Sequence, residues 1–173
     1  MRNRKCILGF LMAGIVLFVA CQSKKEKLNA QIVEAEKQIA ETYSTETISQ
    51  LVALYQKYAA AFPEDSMAVE YLFRSAEFNM RLKKGEEALA NLDAIISKYP
   101  DNWRVPECYF FKGFVYEDVL YDIENAKNAY YEFVAHFPSH KLALDASLAI
   151  SYLGMSPEEI VASFDNSTTD TEE

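Results

Sequence analysis

His136 and His140 are the only histidines, and they stand four residues apart, the spacing at which two imidazoles on one helical face could share a zinc ion. Pro138 lies between them and ends the helix that would align the rings, so the sequence predicts no metal site. The three cysteines are Cys6, Cys21 and Cys108. Cys108 sits in the apolar run Cys108-Tyr109-Phe110-Phe111, where a small buried side chain is expected rather than a reactive thiol. No Gly-rich phosphate loop, nucleophile elbow or paired-cysteine motif occurs, and the many carboxylates read as solvated helix faces. The sequence therefore predicts no enzyme and no cofactor. A formal charge of −9 argues against nucleic acid, whose phosphates demand clustered Lys and Arg.

Cys21 is placed differently. Arg2, Arg4 and Lys5 precede an unbroken apolar run from Cys6 to Ala20, and charged Lys24-Lys25-Glu26-Lys27 follows. That run is shorter than the roughly 20 residues a membrane-spanning helix needs, and it fits an export signal over residues 1–20. Losing the signal removes three positive charges and leaves a more acidic chain. Leu17-Phe18-Val19-Ala20-Cys21 resembles the lipobox of bacterial lipoproteins, with Phe18 where that pattern usually has Leu. The resemblance implies that Cys21 becomes the lipidated N-terminus, anchored by buried acyl chains. Gln22, in place of an Asp, implies sorting to the outer membrane, with the periplasmic face the expected side. Residues 21–25 would form a short tether.

The elements behind it repeat. Ala61-Phe62-Pro63-Glu64-Asp65, Lys98-Tyr99-Pro100-Asp101-Asn102 and His136-Phe137-Pro138-Ser139-His140 align, and their prolines stand 37 and 38 residues apart. Each proline follows an aromatic residue that closes an apolar-periodic segment, where proline stops a helix. Between prolines, 67–83 and 104–120 read as the first helix of a unit, and 86–98 and 123–136 as the second, with Gly85 in the turn of one unit and Tyr121 and Asp122 in that of the next. Ala76 with Ala88, and Gly113 with Ala126, place small residues where paired helices would cross closely. Leu92, Ile96, Tyr130 and Val134 fill the seam. Residues 45–62 read as a degenerate second helix, with Leu51 at the alanine position. A preceding helix, 26–41, carries Leu28, Ile32, Ala35 and Ile39 on one face as a cap. Residues 141–153 supply a further first helix. Ser156-Pro157-Glu158-Glu159 starts a closing helix to Phe164, and the acidic tail 165–173 is expected to be disordered. The predicted fold is all-α: an antiparallel helix-hairpin solenoid of about three repeats with capping helices, occupying residues 26–164.

The pattern over roughly residues 45–164 resembles the tetratricopeptide repeat, through Ala76 and Gly113, Ala88 and Ala126, Tyr130, Tyr116, and Pro63, Pro100 and Pro138. The unit exceeds the usual length of about 34 residues. This lengthening is similar to envelope members such as the Tol–Pal-associated periplasmic repeat protein and the repeat lipoprotein of the barrel-assembly machinery. Leu92, Ser75 and Lys112 depart from the consensus, and Gly113-to-Ala126 holds one residue more than Ala76-to-Ala88. Stacked hairpins expose a concave side lined by first helices. The resemblance puts four columns on it: Glu70, Glu107 and Asp145; Phe73, Phe110 and Leu148; Glu77, Phe114 and Tyr152; and Met80, Glu117 and Met155. A groove with an acidic edge and an aromatic floor would suit a partner segment bearing basic and apolar residues. The acids have a plainer explanation, because carboxylates in a helix's first turn favour its dipole by about 0.3–1 kcal/mol. The expected function is a membrane-anchored envelope scaffold binding protein partners, in Tol–Pal-linked envelope maintenance or outer-membrane protein assembly. The alternative is a lipoprotein subunit binding a small ligand or glycan for nutrient uptake, which a cavity closed by inward aromatics would favour.

Overall fold

The computed structural model describes residues 23–169, with side chains described through Ser163; the signal, Cys21 and residues 170–173 lie outside them. Among the described residues the chain is helical, with no strand. The helices are α1 (residues 23–41), α2 (Thr45–Ala61), α3 (Ser66–Arg81), α4 (Gly85–Lys98), α5 (Val105–Phe114), α6 (Ile123–His136), α7 (Ala143–Tyr152) and α8 (Pro157–Thr169). A π turn, Val115–Val119, prolongs α5. No described helix is long and apolar enough to cross a membrane.

The repeat is written most clearly in the connections. Phe62, Tyr99 and Phe137 cap α2, α4 and α6 with nearly one geometry, φ −135°, −132° and −132°, ψ 61°, 55° and 54°. Each donates its N–H to the carbonyl four residues back. Two turns then follow in every case: Asp65 to Phe62 and Ala68 to Asp65, Asn102 to Tyr99 and Val105 to Asn102, His140 to Phe137 and Ala143 to His140. Proline takes the second place of the first turn, where its fixed φ suits and its missing N–H leaves no bond unmade. These double turns are the extra length of the unit. Helix starts are equally local. Ser44 and Thr47 cap α2 reciprocally, Asp122 accepts from the Asn125 N–H at 3.1 Å, and Ser156 and Glu159 form a capping box on α8.

By its internal contacts the chain divides into two units, residues 1–75 and 76–173, with the boundary inside α3. In unit 1, α1 buries Leu28, Ile32 and Ala35, α2 buries Leu51, Tyr55 and Tyr58, and α3 buries Ala68, Val69 and Tyr71. The Tyr71 ring stacks on Tyr55 at 4.6 Å and meets Tyr58 edge-on at 4.8 Å. Polar links lace the three helices together: Tyr55 Oη donates to Glu36 at 2.6 Å, Arg74 reaches Glu36 at 3.3 Å, and Lys25 pairs with Asp65. Burial, helped by the Glu36 carboxylate, pushes the Tyr55 phenol well above its ordinary pKa.

In unit 2, α5 packs on α4 and α6, and α7 packs on α6. Tyr130, Phe133 and Ala146 centre a core joined by Tyr109, Phe110, Val134, Phe137, Leu142, Ala149 and Ile150. The small positions stand at close approaches: Ala76, Ala88 and Ala126 are fully buried, and a Cβ on Gly113 would lie 2.5 Å from the Tyr130 ring. Leu92 is fully buried too.

Three expectations need correction. Gly85 is not in the turn; it opens α4, buried, with Leu120 where its Cβ would stand. The turn residues proper are Lys83 and Tyr121, both left-handed at φ 56°. The tether 21–25 is shorter than expected, because helix begins by residue 23, and Leu28 and Ile32 bury the face that carries it onward. The closing helix does not stop at Phe164 but runs to Thr169, no Pro or Gly intervening to break it.

Candidate partner-binding surface

The expected columns divide by burial. In unit 1, Phe73 is only 3% exposed, and in unit 2 Met80 is only 9% exposed, so both serve as core rather than as an open floor. Periodicity identified their helix face but not what lies over it. Phe110 turns inward as well, with its ring 5.6 Å from Tyr130 and 5.7 Å from Phe133. Phe114 on α5 and Leu148 on α7 are the apolar members that reach solvent, at 37% and 44% exposed. Tyr152 is half-buried, while Met155 is exposed beyond the end of α7.

The acids are largely engaged within their own unit. Glu70 sits in the second turn of α3, not its first, and accepts from Arg74 Nε at 3.0 Å. Glu107, in the first turn of α5, accepts from Arg104 at 2.8 Å and from Lys141 at 3.1 Å. Burial works to raise the Glu107 pKa, but these two cations outweigh it and hold the carboxyl below its ordinary value. Glu117 accepts the Tyr130 phenol at 2.7 Å. Burial, then Glu117, pushes that phenol far above its usual pKa. Glu77 is half-buried, and Asp145 is exposed in the first turn of α7. Of the three acids in the first expected column, Asp145 alone is an exposed carboxylate. Carboxylates at Glu70 and Glu107 are spent on arginines three or four residues away, a pairing the sequence spacing offers.

The residues weighed for chemistry are structurally accounted for. Cys108 is fully buried, and burial pushes its thiol up to about 12, away from nucleophilic use. The His136 ring stacks on Tyr109 at 5.4 Å, and His140 Nδ1 accepts the Leu142 N–H at 3.3 Å. Among the described residues no cluster of three His, Cys, Asp or Glu has metal-binding geometry.

Sequence reasoning did not single out two surface features. Trp103, before α5, is 66% exposed with the Arg104 guanidinium 4.3 Å from its ring; being a lone tryptophan beside arginine in a turn, it was visible in composition. An open depression of about 410 Å³ lies between α1 and α2, lined by Lys27, Ala30, Gln31, Glu34, Ala35, Gln38, Gln50 and Leu54. It holds amides and aliphatics and no aromatic, unlike a cavity closed by inward aromatics.

Comparison with curated proteins gives no match. Residues 70–102, the greater part of α3 with all of α4 and the turn after it, match the family model described as tetratricopeptide repeat. With the helical build of the described residues and the thrice-repeated helix-ending turn, that match makes residues 70–102 similar to a tetratricopeptide repeat, a kind of module that generally mediates protein–protein interaction.

Proposed function

We propose that this protein is a lipid-anchored scaffold of the bacterial envelope, held by Cys21 on the periplasmic face of the outer membrane, whose repeats hold a protein partner. The observation that carries the partner reading is the exposure of Phe114 and Leu148 on α5 and α7, the first helices of unit 2. Two large apolar side chains in neighbouring columns of a tetratricopeptide surface supply the desolvated anchor that a hot spot needs. The acidic balance of the chain and exposed Asp145 favour a partner segment with basic residues beside its apolar ones. The anchor rests on the basic start, the apolar run and Ala20-Cys21. Within the envelope, the repeat length favours a part in Tol–Pal-linked maintenance or in outer-membrane protein assembly.

The test is photo-crosslinking in intact cells from positions 114 and 148, compared with capture by the Phe114→Ala/Leu148→Ala chain. Both side chains are exposed, so the variant keeps its helical content and loses the captured protein. Capture unchanged by the double substitution would refute the surface. Fatty-acid labelling that persists in Cys21→Ala would refute the anchor.

A further inference from the structure

Only Gln22 separates Cys21 from the helical residue Ser23. An extended chain spans at most about 3.6 Å per residue, so the Ser23 Cα lies within about 7 Å of the Cys21 Cα whatever path the chain takes. The inference therefore rests on the acylation of Cys21 proposed above: with acyl chains there, the first turn of α1 is confined to the headgroup layer.

That turn does not come alone. Lys25 pairs with Asp65, whose side chain also accepts the Met67 N–H at 2.9 Å and whose own N–H bonds to the Phe62 carbonyl. The α2–α3 turn, residues 62–65, is thereby fixed to the same end of unit 1. Met67, 36% exposed, adds apolar surface there. The opposite end of α1, with the α1–α2 turn at residues 42–44, is eighteen residues on, about 27 Å along the axis at 1.5 Å per residue.

Charge separates the two ends. At the first, Lys24, Lys25 and Lys27 balance Glu26, Glu64 and Asp65. At the second, Glu34, Glu36, Glu41 and Glu46 outnumber the cations Lys37 and Arg74, the latter paired with Glu36. An anionic bilayer tolerates the first end and repels the second, within the Debye length of its surface.

We propose that unit 1 stands on an anionic phospholipid surface by the end that joins the first turn of α1 to the α2–α3 turn, with the α1–α2 turn directed away from the membrane.

The experiment uses the full-length acylated protein in vesicles of phosphatidylethanolamine and phosphatidylglycerol. A fluorophore is placed on Glu64→Cys or on Thr42→Cys, both exposed positions, and quenched by a headgroup spin-labelled lipid. Quenching is expected to be several-fold stronger at 64 than at 42. A long Gly/Ser linker inserted after Gln22 should abolish the difference. Equal quenching at the two positions, or stronger quenching at 42, in protein shown by mass to be acylated overturns the mounting and leaves the anchor standing. Absence of acyl chains on Cys21 overturns both.

Discussion

Replacing Gly113 by alanine sets two rules against each other. In a solvated helix interior the change is favourable by about 1 kcal/mol, because alanine loses less backbone entropy. Gly113 lies in α5 with no unusual φ, so nothing in its backbone forbids alanine. The new methyl, however, would stand 2.5 Å from both Cδ1 and Cε1 of Tyr130, about 1 Å inside the roughly 3.5 Å of carbon–carbon contact. Tyr130 cannot step aside freely. It is 2% exposed, its Oη is held by Glu117 at 2.7 Å, and Phe110 lies 5.6 Å from its ring. Overpacking of this kind costs about 1–3 kcal/mol, and drawing the phenol off a carboxylate adds about 1.5–3 kcal/mol. After the propensity gain of about 1 kcal/mol, the expected net loss is about 1.5–5 kcal/mol, a urea midpoint lower by about 0.75–2.5 M at a slope of about 2 kcal/mol/M. The single tryptophan, Trp103, belongs to unit 2 and reports the transition by fluorescence. Tyr130→Leu is the control, since it gives this unit the leucine that Leu92 supplies at the matching position of the previous repeat. In that background Gly113→Ala should become neutral or stabilising. A midpoint that rises on Gly113→Ala alone would refute the reasoning.

Other expectations follow from single contacts. Asn79 is 2% exposed and its Nδ2 has no hydrogen-bond partner, so Asn79→Leu should raise unfolding stability by about 1 kcal/mol in urea titration. Tyr121 is exposed at φ 56° just past the π turn, and Tyr121→Gly should raise the thermal midpoint through relief of about 0.5–1 kcal/mol of left-handed strain. The Glu107 carboxyl is depressed, so its contribution is full above the ordinary carboxylate range and is lost as pH falls through the lowered folded value. Glu107→Gln should therefore lower the urea midpoint at roughly pH 7, and the gap to the parent chain should close towards roughly pH 3.

Much of the fold was legible because its punctuation is local. Pro63, Pro100 and Pro138 follow the capping aromatics directly, and Ser156-Pro157-Glu158-Glu159 contains every atom of its own capping box. What was not legible depends on partners distant in sequence, or on residues that break habit. Tyr121 falls in the turn where the spacing put it, but Lys83 occupies a left-handed position where glycine would announce a turn, while Gly85, which looked like one, is a close-packing residue under Leu120. For the surface, the arginines beside Glu70 and Glu107 were in view, but Lys141 comes from 34 residues away. Phe73 and Met80 share the periodicity of Phe114, so helical spacing alone could not say which of them is covered.

The extra residue between Gly113 and Ala126 shows how register decides which side chains a partner can read. Lys83 and Tyr121, both at φ 56°, mark one structural landmark, yet they lie 20 and 21 residues after their prolines. After the first landmark, the Lys84 N–H reaches five residues back to Asn79; after the second, the Asp122 N–H reaches six back to Tyr116. The insertion therefore falls inside the π turn, where the Leu120 N–H bonds to Val115, and a widened turn is how a helix absorbs one residue without unwinding. Residues before it keep the repeat's register, and residues after it slip by one. Tyr116 thus corresponds to Asn79, and Glu117 lies within the widened turn, where a count from the proline no longer fixes its counterpart. From that turn its carboxylate accepts the Tyr130 phenol, whereas the preceding repeat has Leu92 in the place of Tyr130, and the Asn79 amide nitrogen finds no partner among the described residues. Phe114 is thus the exposed apolar residue that closes α5, and the acid about one turn further on holds the hairpin together through Tyr130.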